Sequence, residues 1–70
     1  MITRFLIEHT KAIPCPVYAT DKGFYTCNPW KALFFETRDV AQVYMKKNNF
    51  EFPWMAMEHT FYMELLNDND

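Results

Sequence analysis

Residues 2–9, ITRFLIEH, alternate with the period of a strand. Ile2, Arg4, Leu6 and Glu8 face one way, and Thr3, Phe5, Ile7 and His9 the other. Phe5 and Ile7 make one face apolar, while Ile2 and Leu6 add apolar side chains to the second. The pattern predicts a strand with one buried face and a second face that is partly covered. Pro14 and Pro16 then stop any ladder, because proline has no N–H to donate. Two β-prone runs, VYAT and FYTCN, flank Asp21-Lys22-Gly23 and predict a hairpin. Gly23, the one glycine of the chain, stands where that turn needs positive φ.

The stretch Asn28-Pro29-Trp30 breaks the pattern again, and KALFF predicts a short strand over residues 33–35. The helix signal is clearest in ETRDVAQVYMKKNN. Thr37 is positioned as N-cap, and Asp39 falls in the first turn, where the helix dipole favours a negative charge. Val40, Val43, Tyr44 and Lys47 form one stripe, with Ala41 and Met45 on its two sides. Lys46 and Lys47 suit the last turn, and Asn48 and Asn49 can take the left-handed conformation that ends a helix.

The last third, FEFPWMAMEHTFYMELL, fits two patterns. As a helix from Pro53, it would align Trp54, Met57, Phe61 and Leu65. As a strand, it sets Met55, Met57, His59 and Phe61 on one face and Trp54, Ala56, Glu58 and Thr60 on the other. Phe52-Pro53-Trp54 offers no side-chain cap, and His59-Thr60-Phe61-Tyr62 is β-prone, so a strand over Trp54–Phe61 is preferred, with room for a final turn. The expected fold class is α+β: a small antiparallel sheet of three to five strands with one helix, about residues 38–48, packed on one face, in the order β-β-β-(β)-α-β. Residues 1–70 form one small domain, with an acidic polar tail at 67–70.

Composition narrows the function classes. A domain of 70 residues buries only about 60% of the surface its unfolded chain exposes. Here half the residues are apolar and 19% aromatic, which offsets the small size. The net charge is −2 and the basic residues are scattered, with only Lys46 and Lys47 adjacent. Direct nucleic-acid binding needs a basic patch, so it is not expected. No window approaches the roughly 18 apolar residues of a membrane span, nor the ~7–15 of a signal-peptide core. The expected location is the cytoplasm.

The tripeptide Glu-His-Thr occurs twice, at residues 8–10 and 58–60, and holds both histidines of the chain. Two Glu and two His are reasonable transition-metal ligands. Within a strand, however, a Glu and the His beside it point to opposite faces. At most His9 would meet His59, or Glu8 meet Glu58, and two ligands do not close a metal site. No metal, cofactor or catalytic residue is therefore expected. There is no serine, and a Cys/His dyad has no local support, although Cys15 sits in a stiff loop between two prolines. The chain is not expected to be an enzyme. Cys15 and Cys27 lack a CxxC spacing and fall out of register across the hairpin turn, so free thiols are expected.

The aromatic set carries most of the remaining information. Adjacent pairs such as Phe24-Tyr25 and Phe34-Phe35 must point to opposite faces of a strand. One helix covers one sheet face, which leaves apolar area on the other, either covered by loops and the C-terminal segment or open to a partner. The candidate protein-binding residues are Trp30 and Trp54, with Tyr25, Phe52 and Tyr62 nearby. Trp54 faces outward if the Met55–Met57 face is the one that meets the helix.

Residues 23–47, GFYTCNPWKALFFETRDVAQVYMKK, resemble an element of small bacteriophage-encoded orphan proteins. The matching residues are Gly23, Phe24, Tyr25, Trp30, Ala32, Phe35, Thr37 and Ala41. They shape the fold and transfer no site residue. The resemblance implies an accessory protein of the host-cell cytoplasm that binds and inhibits a host protein or a defence complex. The partner expected is thus a protein. The alternative is a homo-oligomeric structural protein that buries its aromatic face against a second copy.

Overall fold

The computed structural model describes residues 1–62. The acidic tail and the end of the last apolar run lie outside the described residues. Strand β1 (Ile2–His9) is the centre of the sheet. Strand β5 (Trp54–Phe61) pairs with it antiparallel over its whole length, from Ile2 opposite Phe61 to His9 opposite Trp54. That leaves one edge of β1 for two short strands. β2 (Val17–Ala19) takes its C-terminal end, with Glu8 opposite Tyr18, and β4 (Phe34–Phe35) takes its middle, with Leu6 opposite Phe34. β3 (Tyr25–Thr26) completes the hairpin with β2. Helix α1 (Arg38–Lys47) packs on one face. The expected order and the strand over Trp54–Phe61 both hold, and the strand expected over residues 33–35 spans Phe34–Phe35.

Local chemistry explains these elements. Gly23 takes φ +84°, and the Thr20 N–H bonds the Phe24 carbonyl at 3.2 Å to close the hairpin. The Thr37 hydroxyl accepts from the Val40 N–H at 3.2 Å and caps α1. At the other end Asn49 takes φ +62°, and the Phe50 N–H returns to the Met45 carbonyl at 2.8 Å, closing the left-handed cap.

Because β1 is flanked on both edges, its two faces build two clusters. Phe5 and Ile7 meet Ala19, Phe35, Ala41, Tyr44, Met45, Phe50, Trp54 and Ala56 under the helix. On the other side Leu6, Tyr18 and Ala32 bury one another, with Phe61 against them. Leu6 and Ile7 are both fully buried, each contributing about 1.5–3 kcal/mol of transfer free energy.

Two orientations differ from those expected. The buried side of α1 is Ala41, Tyr44 and Met45, while Val40 and Val43 are exposed. The small Ala41 side chain lets the helix backbone approach Ile7 and Phe35, which turns the larger valines outward. Trp54 lies on the helix side. The antiparallel register sets it opposite His9, on the face of Phe5 and Ile7, so Met55 and Met57 share the face of Leu6 and Glu8.

Candidate functional site on the helix-free face

The helix-free face carries Ile2, Arg4, Leu6 and Glu8 from β1 and Met55, Met57, His59 and Phe61 from β5. Part of it is covered by the chain between β3 and β4. There the Asn28 carboxamide oxygen accepts the Trp30 N–H at 2.9 Å and starts a single 3-10 turn over Pro29–Lys31. The Leu33 N–H bonds the Ala19 carbonyl at 3.0 Å, and Ala32 is buried against the sheet. This anchoring sets the Trp30 ring on Phe61, with centroids 4.4 Å apart, yet leaves Trp30 half-exposed. Beside it Phe34 is also exposed, and the Arg4 guanidinium lies 5.4 Å from the Phe34 ring centre. Trp30, Phe34, Phe61, Ile2, Pro29 and Arg4 line a cleft of about 200 Å³.

Next to this apolar cleft is a polar island. The Glu8 carboxylate and the His59 imidazole stand 3.3 Å apart, both half-buried. One comes from each copy of the Glu-His-Thr tripeptide, in a combination not expected from the sequence. Even-numbered residues of β1 and odd-numbered residues of β5 share a face in this register, so Glu8 meets His59 instead of Glu58. The Tyr18 ring packs edge-on to His59 at 5.2 Å. Burial pushes the Tyr18 phenol above its ordinary pKa of 10.0, and the negative charge of Glu8 adds to the shift, followed by Cys15 and Cys27. His9 lies on the other face, edge-on to Trp54 at 5.0 Å, with its Nδ1 buried and without a hydrogen bond. Among the described residues, no group of three or more His, Cys, Asp or Glu comes together.

The five expected binding residues do not form one surface. Trp30 is on the helix-free face. Tyr25 and Trp54 meet each other on the helix side, with ring centroids 5.0 Å apart, and Phe50 packs edge-on to Trp54 at 5.2 Å. Phe52 projects from the loop before β5, where the Lys11 ammonium lies 5.4 Å from its ring centre. Tyr62 is exposed just beyond the end of β5. Arg4, Phe34 and Phe61, the partners of Trp30 in the cleft, escaped the sequence reading. The signal for Phe34 was present, because a Phe34-Phe35 pair in a strand must send one ring to each face.

Cys15 and Cys27 are both free thiols, as expected. The register does place Cys27 beyond the Tyr18–Thr26 pair and not opposite Cys15. The loop containing Pro14 and Pro16 nevertheless curls back, and the two sulfurs stand 2.7 Å apart. That contact to the Cys27 thiol raises the Cys15 thiol above its ordinary pKa, with desolvation and the Cys27 charge acting in the same direction. No helix among the described residues is long and apolar enough to cross a membrane. Comparisons of the chain with family models, with curated proteins and with solved structures gave no match.

Proposed function

We propose that the chain is a protein-binding module that docks through its helix-free sheet face, a small inhibitor or adaptor of a host protein or defence complex as its phage-like element implies. The carrying observation is the exposed Trp30–Phe34 pair around one apolar cleft, with Arg4 stacked on its rim. Trp, Phe, Met and Arg are the residue types enriched where proteins meet, and Trp and Arg dominate binding hot spots. The cleft, about 200 Å³, is smaller than the ~300–1,000 Å³ that usually enclose a small ligand. It suits one or two side chains inserted from a partner surface. Glu8 and His59 supply a polar point beside it that fixes orientation. The test is capture from host lysate with the intact chain as bait, repeated with Trp30→Ala. A specific partner lost by at least about tenfold in Trp30→Ala supports the reading, and one retained within twofold overturns it.

One observation favours a second reading, self-association. Among the described residues β5 pairs with β1 alone, so no strand lies along its outer edge. A groove of about 470 Å³ runs between this strand and Arg38, Gln42 and Met45 of α1. An unpaired edge presents free N–H and C=O groups to any strand that can lie beside it. A C2 pair of β5 strands centred on Met57 would set Met55 opposite His59 and Ala56 opposite Glu58, avoiding like charges. The molecular mass in solution separates the two readings, since docking on the helix-free face requires no dimer.

A further inference from the structure

We infer that Cys15 and Cys27 are the two halves of a reversible intrachain disulfide site, closed by exchange with a low-molecular-weight disulfide of the glutathione type. The sulfurs are 2.7 Å apart, less than one ångström longer than the ~2.05 Å of an S–S bond. They arrive there from separate elements, one from the loop that bears Pro14 and Pro16 and one from the end of the β2–β3 hairpin. Neither holding element is loose. Asn28, next to Cys27, donates its N–H to the Thr26 hydroxyl at 3.0 Å and caps the 3-10 turn, and Val17, two residues after Cys15, is paired with His9 in the sheet. The fold thus keeps the thiols at bonding reach, which an unstructured pair 12 residues apart would visit rarely. The contact is intramolecular, and no third Cys, His, Asp or Glu joins the two sulfurs among the described residues, so the pair is not part of a metal-ligand group.

The exchange has a defined order. Cys27 is exposed and Cys15 half-buried, so the Cys27 thiolate attacks the small disulfide first. One S–S bond of the reagent breaks, a mixed disulfide forms on Cys27, and one small thiolate leaves. The Cys15 thiolate then attacks the Cys27 sulfur and expels the second small thiolate. Two protein thiols and one disulfide become one protein disulfide and two small thiols, so electrons and hydrogens balance without a further reactant. The new bond ties the proline loop to the root of the turn that presents Trp30.

The test uses the full chain, fully reduced, then equilibrated in buffers with rising ratios of glutathione disulfide to glutathione. Samples are quenched with an alkylating agent and read by intact mass and non-reducing peptide mapping. The expected result is a monomeric product lacking two hydrogens, with residues 15 and 27 joined, dominant at equal concentrations of thiol and disulfide. Dithiothreitol should reverse it fully. Cys15→Ser should instead accumulate a stable glutathione adduct on Cys27, because the resolving thiol is missing. Persistent glutathione adducts on the parent chain, interchain dimers, or two alkylated thiols at equal concentrations would each overturn the proposal. So would an adduct on Cys15→Ser no more abundant than on the parent.

Discussion

Glu8 and His59 bond across the helix-free face at 3.3 Å, although the register sets Met55 opposite Glu8 and Arg4 opposite His59. The two side chains therefore run along the strands toward each other, beside Leu6 and Met57, the pair between them in the register. Half-burial of both makes the contact one of fold orientation, not a rim ion pair. A double-mutant cycle with Glu8→Ala and His59→Ala should return a coupling of about 0.5–1.5 kcal/mol in chemical unfolding. A coupling indistinguishable from zero would show that the pair does not bond in solution.

The two tryptophans should separate cleanly in stability. Trp54 packs among Tyr25, Phe50 and His9 on the helix side, whereas Trp30 lies half-exposed on the other face. Trp54→Ala should cost roughly 2–4 kcal/mol, at or just below the range for buried aromatics. Trp30→Ala should cost about 1 kcal/mol or less, as expected away from a core. Urea unfolding of both variants checks this, and equal losses would contradict the assigned faces.

Ala41 faces the sheet from α1 and is fully buried in one cluster with Ile7, Ala19 and Phe35. Ala41→Leu inserts three carbons where the helix backbone already meets the strands, and should destabilise by about 1–3 kcal/mol. Val43→Leu, on the exposed side of α1, should stay within roughly 0.5 kcal/mol. If the two variants unfold alike, the helix is rotated from the orientation described.

Tyr18 gives the fold an alkaline dependence whose sign is fixed. Burial first, then Glu8, holds the phenol protonated above its ordinary 10.0. The folded chain then binds more protons than the unfolded one at high pH, so this contribution is complete below pH ~10 and is lost as pH rises through the raised value. Tyr18→Phe cannot ionise and should flatten the fall of stability above pH ~10. Parallel curves for parent and variant across that range would contradict the environment assigned to Tyr18.

Elements with local signals were legible from sequence. Gly23, Thr37 and Asn49 each mark a turn or cap by their own chemistry, and the alternation from Trp54 to Phe61 outweighed its helix-like composition. What depended on pairing was not legible. Nothing local says which face of β5 meets the helix, so Trp54 was assigned outward on a condition that the β1–β5 register reverses. The same register joins Glu8 to His59, a pairing that strand parity alone does not choose. The Cys15–Cys27 contact arises from the path of a proline-bearing loop, which ladder arithmetic does not describe. The helix buries Ala41 because steric closeness outweighed the hydrophobicity of Val40 and Val43. Trp30 lies on the helix-free face against Phe61, presented by the turn that Asn28 caps.

The central claim is that the helix-free face, and not the outer side of the helix, is the docking surface. It is tested most directly by quantitative capture from host lysate with three baits: the parent chain, Trp30→Ala/Phe34→Ala, and Val40→Ala/Val43→Ala, with circular dichroism confirming that each is folded. All four substituted side chains are exposed, so the two variants differ in face and little in stability. The expected result is a partner that the parent and the helix variant retain alike and that the Trp30/Phe34 variant loses by about thirtyfold or more, the scale of one binding hot spot. A partner retained within twofold by the Trp30/Phe34 variant, or lost by the helix variant, would contradict it.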